Sequence, residues 1–213
     1  EFMDKKGVEL SVKAQQIPFE FGEEQAYLLI EVDAFSENEL LPQCEKIYSS
    51  LEAHQVLNVL LAEDHESKEK FWRIRRSIGE VVKQHSIYKE EDAVVTRSYL
   101  PDLYEGVKRI AEQYGFETVC YGHAGDGNLH INILKLDLAD AIWQNELPKA
   151  IRSIFELCKQ YGGTISGEHG IGLVQKPYLD IVFNQKHFEL MRGIKNSFDP
   201  HWILNPGKIF DRA

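Results

Sequence analysis

The chain has 213 residues, 43% of them hydrophobic and 27% charged, a composition that supports a full core and excludes disordered and collagen-like classes. Its formal net charge of -10, with a pI near 5.3, disfavours nucleic acid and anionic membrane surfaces as partners, and no basic patch interrupts that balance. No apolar run approaches the roughly 18 residues of a transmembrane helix and no charged-then-apolar leader opens the chain, so a cytoplasmic location is expected.

In chain order, Ala26 to Val32 reads as a mostly buried strand, and Ser36-Glu37-Asn38-Glu39 as a capping box opening a helix with Leu40, Cys44, Ile47, Tyr48 and Leu51 inward. A strand is expected from Val56 to Ala62, a helix from about Ser67 to His85, and a strand across Ala93-Val94-Val95. Pro101 opens a further helix with Leu103, Val107, Ile110 and Tyr114 inward. Strand-like residues at Val119 and Tyr121, and again from Leu129 to Leu134, flank a bend and read as a β-hairpin. Leu147, Ile151, Ile154 and Cys158 mark a helix ended by Gly162-Gly163, and a last helix around His187 to Asn196 stops before Pro200. Cys44, Cys120 and Cys158 lack C-x-x-C spacing and read as buried free thiols. Without repeats or long linkers, the pattern predicts one domain over 1–213. The expected class is α+β, a largely antiparallel sheet covered by helices on one side.

Three segments carry candidate chemistry. In Tyr121-Gly122-His123-Ala124-Gly125-Asp126-Gly127-Asn128-Leu129-His130, paired strands would set His123 and His130 opposite one another, with Cβ atoms about 5 Å apart, the separation two imidazoles need to grip one ion. Period-two alternation puts Asn132 on the same face as His130. A tight turn with hydrogen-bonded histidines satisfies the same residues. A phosphate cradle does not, because neither glycine fingerprint is present and a strand follows the bend.

Along the helix at 67–85, Arg75 falls inside the apolar stripe of Phe71, Ile74, Ile78, Val81 and Val82. A guanidinium there either pairs with an internal carboxylate or awaits a carboxylate or phosphate ligand. Arg73 and Arg76 fall on the solvated side. In Ile165-Ser166-Gly167-Glu168-His169-Gly170-Ile171-Gly172, the glycines permit a bend that turns Glu168 and His169 the same way. Glu168 can then complete a His₂Glu set with an open position, suited best by zinc and accepted by manganese or ferrous iron. His169 is left as a general base. A solvated glycine-rich loop is the competing reading of that segment.

These blocks, together with Lys176 and with Leu-Asn-Pro-Gly-Lys-Ile-Phe at 204–210, resemble the C-terminal domain of FAD-linked oxidases, in the branch of D-lactate dehydrogenase, D-2-hydroxyglutarate dehydrogenase and the glycolate oxidase flavoprotein subunit. Glu1-Phe2-Met3-Asp4 resembles the stretch with which that domain begins, after an N-terminal FAD-binding domain that this chain lacks. The resemblance implies a ferredoxin-like cap domain of a vanillyl-alcohol-oxidase-type flavoenzyme, FAD held mainly by the missing domain, a divalent metal, and a small 2-hydroxy acid as substrate. An electron-transfer partner or a homodimer is compatible with it. By similarity, His123, His130 and Glu168 match metal ligands, His169 the catalytic base, Arg75, Lys89 and Asn132 substrate-contacting positions, and Asn205 a flavin contact. The stretch between Arg75 and Lys89 is one residue shorter than in the hydroxyglutarate enzymes, Thr96 stands where many members have proline before Arg97, and Gly79 stands where the hydroxyglutarate enzymes carry a substrate-contacting threonine. The alternatives from other classes are a metal-binding module or assembly subunit without chemistry of its own, and a zinc hydrolase, for which the H-E-x-x-H pattern is missing.

Overall fold

A computed structural model describes residues 1–54 and 56–211, which group into two compact units divided between Gln84 and His85. In the first unit, β1 (Phe2–Asp4) pairs antiparallel with β2 (Ala26–Leu28), Met3 opposite Tyr27. Asp4 caps α1 (Lys5–Gln15) by accepting the Gly7 N–H, satisfying one of the orphan donors at a helix start. The long α3 (His65–His85) buries Ile74, Ile78, Val81 and Val82, and the Ser11 hydroxyl of α1 reaches its Ile74 carbonyl at 2.9 Å. Its apolar stripe is the one the 3.6-residue period predicts. Arg73 and Arg76 are exposed as expected.

Between these elements the sequence reading needs correction. The strand expected at 26–32 is three residues long, and 56–62 forms no strand, with a bend at Leu57. The helix α2 (Glu37–Glu52) forms behind Ser36, but the Ser36 side chain makes no cap bond, and Cys44 is half-buried rather than buried.

The second unit is built on an antiparallel sheet in the order β4 (Glu117–Gly122), β5 (Asn128–Leu134), β3 (Tyr88–Val94). The strand expected at 93–95 begins at Tyr88, because pairing along the whole of β5 overrides the low strand propensity of Glu90-Glu91-Asp92. The helices α4 (Leu100–Tyr114) and α5 (Asp140–Gln160) pack on the sheet and on each other, and Leu129, Ile131, Ile133, Leu103, Val107, Ile154 and Phe155 are buried to 1% exposure or less. Burial of that order contributes about 1.5–3 kcal/mol per large side chain. Burial also drives the Cys158 thiol up to about 12, leaving it inert. The free edge of β3 is closed by the chain at 164–167, where Val94 and Thr164 exchange backbone hydrogen bonds. The short α6 (Leu179–Val182) and α7 (Gln185–Phe198) follow, the latter opened by a capping box on Asn184. No helix among the described residues is long and apolar enough to cross a membrane.

Candidate functional site

The register of β4, β5 and β3 fixes which side chains meet. Asp92 lies opposite His130 and Glu90 opposite Asn132, while Tyr121 lies opposite His130 from the other side. Period-two alternation therefore gathers Glu90, Asp92, His130, Asn132 and Tyr121 on the face away from Leu129, Ile131 and Ile133. His130 is 6% exposed and Asn132 1%, the latter donating its amide to the Val119 carbonyl at 3.3 Å.

His123 does not stand directly across from His130, as a regular hairpin would place it. It follows the last residue of β4 and begins a tight turn, its carbonyl accepting the N–H groups of Asp126 and Asn128. Gly127 closes the turn at φ +73°, where a side chain would also run into the Val95 carbonyl. The turn still brings the imidazole back, with the two rings 5.9 Å apart and near perpendicular.

The bend expected around Glu168 is present, and its cause is a residue the sequence reading missed. Asp92 is 1% exposed, and one of its oxygens, Oδ2, accepts three consecutive backbone N–H groups, from Gly167 at 2.9 Å, Glu168 at 2.6 Å and His169 at 2.9 Å. Its other oxygen takes the Asn128 amide at 2.7 Å. Burial works to raise this carboxyl, but the N–H groups of His169 and Glu168 and the Asn128 amide outweigh it and hold the group below the usual aspartate range. Gly167 is required for the approach, since a Cβ there would lie 2.5 Å from Val94 Cγ2 and 2.6 Å from Asn128 Nδ2. The signal available in the sequence was the alternation itself, which places Asp92 two residues from Glu90 on one face of a strand.

Anchored in this way, the loop delivers both side chains. Glu168 Oε1 is 3.6 Å from His123 Nε2, and the His169 ring stacks on His130 at 5.3 Å with 25° between planes. Ligand atoms of His123, His130 and Glu168 lie within 4.8 Å of one another, and so do those of Glu90, His130 and His169. Two imidazoles and a carboxylate at that spacing fit a divalent ion of the zinc type, and the exposed side of Glu168 leaves room for a further ligand. His130 Nδ1 has Glu90 Oε1 at 3.6 Å and Asp92 Oδ1 at 3.9 Å, two carboxylates close by but outside hydrogen-bond distance.

The other expected residues have partners of their own. Lys89 is on the opposite face of β3, its ammonium bonded to Glu91 at 2.7 Å and to the Glu90 carbonyl, and it does not join the histidines. Glu91 is wholly buried and also accepts from Gln175. Arg75 belongs to the first unit, where its Nε and Nη2 hold the Glu1 carboxylate at 2.8 and 2.7 Å. Asn205 adopts φ +47° in an exposed turn, accepting from the Lys208 ammonium. Lys176 ties down the terminal segment through the Gly207 carbonyl and Asp211.

Comparison with known proteins identifies the family. The family described as FAD linked oxidases, C-terminal domain, matches residues 1–209. Similar curated proteins include a D-lactate dehydrogenase of Archaeoglobus fulgidus, 36% identical over 98% of this chain and 44% of the relative. A D-2-hydroxyglutarate dehydrogenase of Stutzerimonas stutzeri is 33% identical over 86% of this chain and 40% of its own length. The glycolate oxidase subunit GlcD of Bacillus subtilis is 34% identical over 87% and 39%. The chain thus spans less than half the length of these relatives. Among solved structures, a 4-ethylphenol oxidase from Gulosibacter chungangensis shares the fold, with a TM-score of 0.51 at 17% identity over 82% of this chain and 37% of the other. That likeness accords with the α+β cap-type fold expected from the sequence.

Proposed function

The chain belongs to the C-terminal domain family of the FAD linked oxidases, and from that premise we propose that it is the substrate- and metal-binding cap of an FAD-dependent D-2-hydroxy-acid dehydrogenase, completed by an N-terminal FAD-binding domain. The observation that carries this reading is the meeting of His123, His130 and Glu168 within 4.8 Å, with His169 stacked against His130. When bound, the metal supplies Lewis acidity toward the hydroxyl and carboxylate of the substrate, and FAD supplies the acceptor for the hydride on C2.

This chain's own residues do the rest. His123, His130 and Glu168 hold the metal, and a ring nitrogen of His169 takes the hydroxyl proton as the C2 hydride leaves. Asn132 contacts the substrate from the sheet face. Arg75 is given no part at the metal set, because its guanidinium is committed to the Glu1 carboxylate within the first unit. Asn205 would contact the flavin when FAD is bound. Lys89 has no part in this reading, because its ammonium is committed to Glu91. Three cysteines left as free thiols suit a reducing cytoplasm.

The test is anaerobic flavin reduction in the full-length, metal-loaded protein with a panel of D-2-hydroxy acids. D-lactate or a close relative is expected to bleach the flavin, and His169→Ala to abolish bleaching while FAD stays bound and the fold is kept. Absence of substrate-dependent bleaching with metal present overturns the proposal in favour of a metal-binding module without chemistry.

A further inference from the structure

On the proposed reading of the site, we propose that Glu90 sets the substrate class, admitting 2-hydroxy acids with one carboxylate and rejecting 2-hydroxy diacids. The two neighbours Lys89 and Glu90 carry opposite charges and, by the alternation of β3, face opposite sides of the sheet. Lys89 is spent on the buried Glu91 at 2.7 Å, so its charge is turned away from the histidines. Glu90 is the residue turned toward them, with Oε1 at 3.6 Å from His130 Nδ1 and 3.5 Å from the Tyr121 hydroxyl. Its carboxylate also lies within 4.8 Å of ligand atoms of both His130 and His169.

On this proposal the remaining substituent of the substrate lies beside Glu90, which shares a sheet face with His130 and stands near His169. Glu90 is partly exposed, at 27%, and so forms wall rather than floor. A second carboxylate brought to that wall meets a fixed like charge a few ångströms away, in a setting less screened than bulk water. A methyl or hydroxymethyl group does not. Rejection by repulsion discriminates more sharply than a lost contact, because the wrong ligand must leave a charge unpaired.

The experiment uses the full-length holoprotein with measured metal content and compares the parent with Glu90→Gln and Glu90→Lys. Flavin reduction gives kcat/KM for D-lactate and D-2-hydroxyglutarate, and calorimetry gives binding of pyruvate and 2-oxoglutarate. The preference for the one-carboxylate acid is expected to fall about 10- to 100-fold in Glu90→Gln, a size usual for one charge contact, and further in Glu90→Lys, in both binding and turnover. The Lys89→Met/Glu91→Leu double variant, which exchanges the buried pair for apolar side chains, is expected to keep the parent's preference. An unchanged preference in both Glu90 variants overturns the proposal, as does a change confined to the double variant. Equal loss of both acids together with loss of metal makes Glu90 a ligand instead and overturns it too. If no 2-hydroxy acid binds or reduces the flavin of the parent, the functional reading fails and this proposal falls with it. If acids bind and react without regard to Glu90, only this proposal falls.

Discussion

Asp92 spends one carboxylate oxygen on three successive N–H groups and the other on Asn128, while Oδ1 also stands 3.9 Å from His130. It thereby fixes the loop that carries Glu168 and His169 and stands close to a histidine of the same cluster. Asp92→Asn is expected to weaken zinc binding about 10- to 100-fold, the usual effect of removing a group that positions a metal ligand, measured by competition with a chromophoric chelator. Unchanged affinity would separate the loop from the metal site. The carboxyl is held below its ordinary range by those hydrogen bonds against the opposing effect of burial, so its contribution to stability is complete above about pH 4 and is lost as pH falls through the lower folded value. Thermal melts of parent and variant should therefore differ by a constant amount above about pH 4 and converge below it. The contrast with His123, His130, Glu168 and His169 is instructive about legibility. Those residues stand in short blocks whose types announce the chemistry. Asp92 stands 76 positions before Glu168, the central donor it binds, and nothing local to a strand aspartate tells which N–H groups it will meet.

The strand β3 carries two adjacent carboxyls on its two faces, and they shift in opposite directions. Burial raises the Glu91 carboxyl, with Lys89 and Gln175 pulling it down without cancelling the effect. A raised folded-state value means that the native chain keeps a proton which the unfolded chain has released, so stability declines as pH climbs from about 4.3 through the folded value. Glu91→Gln abolishes that decline, and its melting temperature relative to the parent is expected to rise between about pH 4 and neutrality, opposite in sign to Asp92→Asn below pH 4. Parallel profiles of parent and Glu91→Gln would place the titration elsewhere. The same strand shows where sequence periodicity stops. The helices α3, α4, α5 and α7 were legible from apolar spacing and caps, and the hairpin from its glycines and flanking strands. The start of β3 was hidden because Glu90-Glu91-Asp92 looks like solvated chain until β5 pairs with it. Lys89 was assigned by resemblance alone, and the strand alternation that turns it toward Glu91 rather than the histidines appears only once β3 is paired.

At the scale of the molecule, both units leave apolar side chains uncovered where the sequence marks them for burial. In the first unit, Phe35 is fully exposed and Leu57, Leu60 and Leu61 are each more than half exposed, in the stretch expected to be a strand. In the second, α7 presents Leu190, Ile194 and Phe198 at four-residue spacing, at 60%, 61% and 85% exposure, and buries none of its residues. Exposed apolar side chains grouped in this way are a common feature of interaction surfaces. The relatives are more than twice as long as this chain, and an FAD-binding domain is the partner that the proposed function requires. On the proposed function, the exposed side chains of Leu57, Leu60 and Leu61 form surface that a flavin domain would cover. Mixing this chain with a separately produced FAD-binding domain is expected to form a complex, to lower the fluorescence of a dye that reports apolar surface, and to raise the melting temperature of the chain by mass action. Leu57→Ser/Leu60→Ser and Leu190→Ser/Phe198→Ser should each weaken the complex while leaving metal binding at His123, His130 and Glu168 as it was. A complex that forms without loss of dye binding, or one indifferent to both pairs of substitutions, would mean that these faces are covered by something other than the flavin domain.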